Sequence, residues 1–583
     1  MKKAVLLFLF AAFCALMLCA FFSCNGVDNT EEFSSRGDEH THEYTVAKAE
    51  AAYLKSAATC TKAAVYFYSC ECGEKGTATF ATGNSNGHFW NTAGICTRCG
   101  ESENLIFRKN ANGTYNVAGC SGTTSHITIP SLYKGEVVTG IDESAFFNYP
   151  DLVSIIIEDG VESIGYNAFQ SCTSLTSVTI PNSVTIIQDG AFAECTKLEI
   201  VTIGNGIRTI EHNVFKSCNK LTAVHITNLS SWCKIRFLNE TANPLYYAKK
   251  LFLNDILITE LVIPASVEYI GNYAFENCTE IRSIKIPDSV KGIRDYAFKG
   301  CNQLTSLVIP NGVESIELGA FEECTGLVSI TIPFVGRSRS ATSDGHFGFI
   351  FGAANGDESQ KYVPATLKNV VVTGGTINSN AFIYCTQLSS ITIPNDVTNI
   401  GSYAFRGCTG LMEITIPDSV TSIGSGAFWG CTKLTKMTIP DGVTSIGSGA
   451  FRGCTGLTNV TIPDSVTSIG DYAFRDCSIK ELIAPARVCS SISNRTLETA
   501  VITSGSIGDR AFEGCTGLTS VTIENGVTRI GDYAFEGCTK LIEIHFTGTR
   551  AEWSAISKEE SWDDRTPDYT VYCTDGEIPK SEA

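Results

Sequence analysis

Charge is scarce in this chain and basic charge scarcer still: charged residues are 18% of 583, with 43 Lys and Arg against 61 Asp and Glu. The formal charge of −18 argues against nucleic acid as a main partner, because phosphate binding needs a clustered basic surface. Catalytic patterns are missing too. There is no HExxH motif, phosphate loop or calcium loop, and the 8 histidines are scattered. Gly83-Asn84-Ser85-Asn86-Gly87 has the letters of a nucleophile elbow without the strand-to-helix context that would expose a nucleophile. An enzyme is therefore not expected. What is abundant is apolar residue, at 43%, enough to bury a core and to exclude disorder of the whole chain. A length of 583 far exceeds the roughly 100–200 residues of one domain, so the core must be multiple or must grow by repetition.

The amino terminus points to export. Lys2 and Lys3 precede an uncharged apolar run from Ala4 to Phe22, the basic and apolar regions of a secretory signal. Ser23 before Cys24 at the end of that run resembles a bacterial lipoprotein signal. The resemblance implies a signal peptide over 1–23 and a lipid on Cys24, although Phe21 and Phe22 depart from the usual residues. Cleaved soluble export and a retained membrane helix are the alternatives. Residues 24–58 read as a flexible acidic tether. It holds Arg36-Gly37-Asp38, a tripeptide some receptors read, but too near the anchor to be counted as a site.

The body of the chain repeats one unit. Phe146, Phe169 and Phe192, then Phe275, Phe298 and Phe321, then Phe382, Phe405, Phe428, Phe451 and Phe474, then Phe512 and Phe535 recur with a spacing of 23 inside each run. Each follows Ala, and Val214-Phe215 stands in once. After Phe405 come Cys408, Leu411, Ile414, Ile416, Pro417, Val420, Ile423 and Gly424, and the same offsets return one unit later. Such a unit is too small to bury its own apolar side, so units must stack and share a core. Phe, Cys and Leu three apart suggest one helical turn, Ile414 and Ile416 a short strand ended by Pro417, and Val420 to Ile423 a second strand. The expected fold is an α/β solenoid of parallel strands and single turns over 126–550, offering a surface rather than a pocket. Longer spacings leave insertions near 228–258, 334–370 and 478–500. Their aromatics either contact a partner or pack back on the stack. The tail 551–583, with Trp553 and Trp562, reads as a terminal cap.

Thirteen of the 25 cysteines lie three residues after a repeat Phe, from Cys172 to Cys538, and read as a ladder of buried free thiols. A Cys-rich module over 59–125 is different. Cys70-Glu71-Cys72 and Cys96-Thr97-Arg98-Cys99 resemble two zinc knuckles, with His88 a possible substitute ligand. The first pair is C-x-C, and in an exported chain disulfides fit equally well.

The pattern A-F-x-x-C-T-x-L-x-x-[IV]-x-I-P-x-x-V-x-x-I-G resembles the BspA-like, Treponema-type leucine-rich repeats of bacterial cell-surface proteins. That resemblance implies a leucine-rich-repeat solenoid and, from better-known members, an adhesin that binds extracellular protein or glycan, lipid-anchored at the outer membrane surface. Periplasmic or secreted placement is the alternative location. A structural envelope protein that self-associates or binds cell-surface polymer is the alternative function. No ligand residues carry over, since the shared motif is the packing motif. One stripe individualises the surface: the position after the repeat Phe is Arg406, Trp429, Arg452 and Arg475 in four successive units, with Tyr403 and Tyr472 two before their own Phe. It reads as an anion or glycan contact, against the alternative that the Arg residues only stack on Trp429 and pair with Asp471 and Asp476.

Overall fold

Strands form where the sequence alternates. Ile414 and Ile416 are buried on either side of exposed Thr415, and Glu413–Thr415 lies parallel between Ser390–Thr392 and Lys436–Thr438, with Ile391, Ile414 and Met437 in register. A second row runs along another side of each coil, where Ser422–Ile423 pairs with Asn399–Ile400 and Ser445–Ile446. Gly424 lies so close to Ile400 O and Ser402 N of the preceding coil that a Cβ would collide with both. The computed structural model describes residues 104–341, 344–492 and 495–583 in full, preceded by the backbone of three strands. It divides into two units, 1–88 and 89–583. In the first, Leu54–Ser56, Ala64–Ser69 and Lys75–Thr82 pair antiparallel in that order. The second is the repeat stack, a leucine-rich-repeat β-solenoid with few helices.

The helical turn expected at Phe-Cys-Leu is realised as hydrogen-bonded turns of the i to i+3 kind: Cys408 N donates to Phe405 O at 3.1 Å and Leu411 N to Cys408 O at 3.1 Å. Phe405 N is taken by Ala427 O of the next coil at 2.7 Å. The Phe rings stack along the core, 5.0 Å between centroids for Phe405 and Phe428 and 5.2 Å for Phe428 and Phe451.

The cysteine ladder is present, buried and unbridged from Cys172 to Cys538. Its thiols point along the stack: Cys431 donates to Phe405 O and Cys454 to Phe428 O, each at 3.1 Å. Where a regular coil follows, as at Phe405 and Phe428, the Phe carbonyl thus receives one amide from its own coil and one thiol from the next, filling both lone pairs. Burial pushes the Cys324 and Cys408 thiols up to about 12, so they stay protonated and able to donate.

All three insertions close as irregular coils. The first forms helix α1 (Leu229–Cys233), capped by the Asn228 side chain on Ser231 N at 3.0 Å. Arg236–Phe237 then joins the second row, α2 (Leu245–Ala248) follows, and Leu251–Leu253 joins the first row. The second places a 3₁₀ turn, Phe347–Phe351, where Ala-Phe stands elsewhere: Phe321 N bonds Ile350 O at 2.9 Å and Phe347 N bonds Ala381 O at 2.7 Å. The third is a short coil in which Leu482 faces Ala500. Trp232, Phe237, Phe347 and Phe351 are all buried, so most of the inserted aromatics pack back on the stack.

The ends are covered. Leu105–Lys109 and Tyr115–Cys120, residues the sequence groups with the Cys-rich module, form a hairpin that pairs onto Glu136–Ile141 in the second row. At the other end α3 (Arg550–Ala555) starts in a capping box between Thr549 and Glu552. Trp562 meets Phe535 edge-on at 5.9 Å, and Thr570–Cys573 with Gly576–Pro579 closes the first row as an antiparallel hairpin.

Candidate functional site

The stripe after the repeat Phe divides in two. Arg406 and Arg452 lie on either side of Trp429, their guanidinium carbons 4.7 and 4.9 Å from its ring. Arg406 also lies over Tyr403 and Tyr384, each at 5.4 Å. Arg475 instead sits over Tyr472 at 5.0 Å, and Asp476 draws it and Arg452 together, at 3.9 and 3.4 Å. Stacking on Trp429 and pairing with Asp476 therefore account for Arg452 and Arg475. Asp471 pairs with neither. Arg406 forms no ion pair among the described residues, so three aromatic rings hold its donors without consuming them.

The tyrosines of the stripe adopt left-handed backbone, φ 58° at Tyr403 and 60° at Tyr472, where the intervening coils have Gly426 and Gly449 at φ 60° and 62°. A tyrosine pays for this conformation with strain that glycine avoids. The ring of Tyr403 lies across Gly426, where a Cβ would collide with it. Tyr472 is exposed, with Arg475 over its ring.

Beside the stripe lies a cavity of about 450 Å³, lined by Arg406 and Tyr403 together with His346, Asn355, Asp357 and Asn380. His346 is buried, and neither ring nitrogen has a partner among the described residues. Burial holds its pKa below the ordinary value against the opposing charges of Asp344 and Glu358, which keeps the ring neutral with one donor and one acceptor. The expectation of a surface without pockets is thus incomplete. Irregular coils open recesses, here and at a larger cavity of about 760 Å³ where the second row breaks between Arg236–Phe237 and Tyr269–Ile270. The sequence did not single out His346, because no repeat offset places it next to Arg406; the inserted coil does. The first row offers Thr392, Thr415 and Thr438 in register on its exposed face.

Cys24, Arg36-Gly37-Asp38, Gly83–Gly87, His88 and the knuckle cysteines Cys70, Cys72, Cys96 and Cys99 lie outside the described residues. Among the described residues no group of three or more His, Cys, Asp or Glu could hold a metal ion. No helix among them is long and apolar enough to cross a membrane.

A family model described as a BspA type leucine-rich repeat region, in six copies, matches residues 118–242, 247–340, 375–503 and 488–555. A leucine-rich repeat protein from Bacteroides ovatus is similar at 22% identity over 80% of this chain and 98% of its own, with a TM-score of 0.38. A leucine-rich cell surface protein from Faecalibacterium prausnitzii is similar at 26% identity over 79% and 97%, with a TM-score of 0.29. The leucine-rich repeat protein of T. pallidum is similar at 22% identity over 40% and 91%, with a TM-score of 0.25. A search of curated proteins returns no match.

Proposed function

The chain belongs to the BspA-type leucine-rich-repeat family, and from that premise we propose that it is a non-catalytic adhesin of a bacterial surface, anchored by lipid on Cys24, that binds extracellular protein or glycan. The observation that carries this reading is the stack of Arg406, Trp429 and Arg452 beside the His346 cavity. Arg406 offers a fixed fork to a carboxylate or sulfate, and the exposed Asn355 and Asn380 offer hydrogen bonds to hydroxyls. This chemistry suits an acidic sugar or an acidic peptide, and the guanidinium needs no reorganisation to meet it. Binding of the purified chain to immobilised matrix proteins and acidic glycans, with and without Arg406→Ser, tests it. Loss of binding in the variant supports the proposal, and retention by a folded variant refutes it. Self-association at micromolar concentration without ligand binding would favour a structural envelope role instead.

A further inference from the structure

The walls of the cavity beside Arg406 come from different coils. Gly356 of the inserted coil rests so closely on Ile383 that a Cβ there would collide with its side chain. The turn that carries Ile383 is bonded in its turn to the next coil, through Asn380 N to Ser402 O at 3.0 Å and Tyr384 N to Arg406 O at 2.7 Å. Asn380 and Ile383 are thus the floor, with Asn355 and Asp357 on one side and Tyr403 and Arg406 on the other.

With His346 neutral, Arg406 is the only cation in this lining and Asp357 the only carboxylate, and neither is ion-paired among the described residues. The side chains of Asn355, Ser379 and Asn380 are exposed and form no hydrogen bond among the described residues. Their positions are nonetheless fixed by the backbone. Glu358 Oε2 accepts from Ala354 N at 3.2 Å and Glu358 N donates to Asn355 O at 3.3 Å, which closes the turn that presents Asn355 and Asp357.

Resting on the reading of this surface as an acidic-ligand site, we propose that the cavity selects a sugar ring carrying a single carboxylate. Arg406 holds the carboxylate, Asn355, Ser379 and Asn380 bond ring hydroxyls, and Asp357 accepts from a hydroxyl while excluding chains of repeated negative charge. One free cation answers one carboxylate, and amide and hydroxyl side chains both donate and accept, as ring hydroxyls do. An acidic peptide or a sulfated chain brings further negative charge against Asp357, and the lining has no second cation to meet it. Uronic acid polymers and the terminal sialic sugars of glycoproteins both present such a ring.

Calorimetric titration of the full chain with a methyl glucuronide, a methyl sialoside, a methyl glucoside and an acetylated triglutamate amide tests this. Saturable binding is expected for at least one acidic sugar, with the glucoside and the peptide at least about tenfold weaker. Binding of the glucuronide alone identifies a uronic acid polymer as the source, binding of the sialoside alone a terminal sugar, and binding of both the shared ring chemistry. Asp357→Asn should raise peptide affinity about fivefold and leave melting unchanged. Peptide binding as tight as that of the sugars, equal binding of the glucoside, no binding of either acidic sugar at millimolar concentration, or no gain for the peptide in folded Asp357→Asn overturns the proposal. Tight peptide binding that Arg406→Ser abolishes overturns this inference alone and leaves the acidic-ligand reading standing, whereas acidic binding retained by folded Arg406→Ser overturns both.

Discussion

The thiol of Cys431 lies 3.1 Å from the carbonyl oxygen of Phe405 in the preceding coil, a carbonyl that also accepts the amide of Cys408. The cysteine of this motif is therefore a cross-coil donor, not a latent disulfide. Cys431→Ala removes the donor and leaves a small void, which should cost about 1–3 kcal/mol. Cys431→Ser restores a donor at the same place and should cost less. Urea unfolding of the two variants checks the order, and equal losses would mean that only the sulfur's volume matters.

Burial that pushes ladder thiols such as Cys172, Cys218 and Cys538 up to about 12 should also make them inert. Alkylation of the native chain at pH 8 should spare the ladder and label partly exposed positions such as Cys573, whereas urea should expose all thirteen ladder positions. Mass mapping of the labelled cysteines gives the answer directly.

Replacing Arg406, Arg452 and Arg475 by Ser should abolish binding to an acidic ligand and leave thermal melting nearly unchanged, since surface pairs such as Arg475 with Asp476 contribute little. Arg406→Ser alone should carry most of the loss, because it is the member without an ion pair among the described residues. If Arg475→Ser alone accounts for the loss, the binding site lies on the Tyr472 side.

Glu276 sets a pH dependence. Burial raises its pKa from 4.5 to about 8, opposed by the Lys299 charge and reinforced by Glu240, Glu323 and Glu322. The folded chain then keeps a proton that the unfolded chain releases, so stability is unaffected below pH 4.5 and falls as pH rises toward 8. Glu276→Gln should match the parent near pH 4 and exceed it by a few kcal/mol at pH 8.5. Melting curves at both pH values decide it, and an equal difference at the two would place the effect outside ionisation.

The regular coils were legible from sequence because each offset has one physical role: Ile414 and Ile416 declare a strand, Pro417 its end, and Phe405 and Cys408 the turn. The stripe was legible for the same reason, since Arg406 and Trp429 share an offset. The cavities were not. His346 and Arg406 line one cavity only through an irregular coil whose closure depends on the packing of Phe347 and Phe351 rather than on any period. The expected single helical turn appeared as i to i+3 turns because Phe405 O is filled by Cys408 N and the Cys431 thiol while Thr409 N bonds Gly407 O, so the Thr409 N to Phe405 O bond an α-helix would need is not formed.

Display of the binding surface outside the cell is tested most directly by access of protease or antibody to residues 126–550 on intact cells. The repeats should be reached on cells making the parent chain, and Cys24→Ala should release the protein into the medium. Repeats shielded until the envelope is broken would contradict surface display, and retention of the Cys24→Ala chain would contradict the lipid anchor.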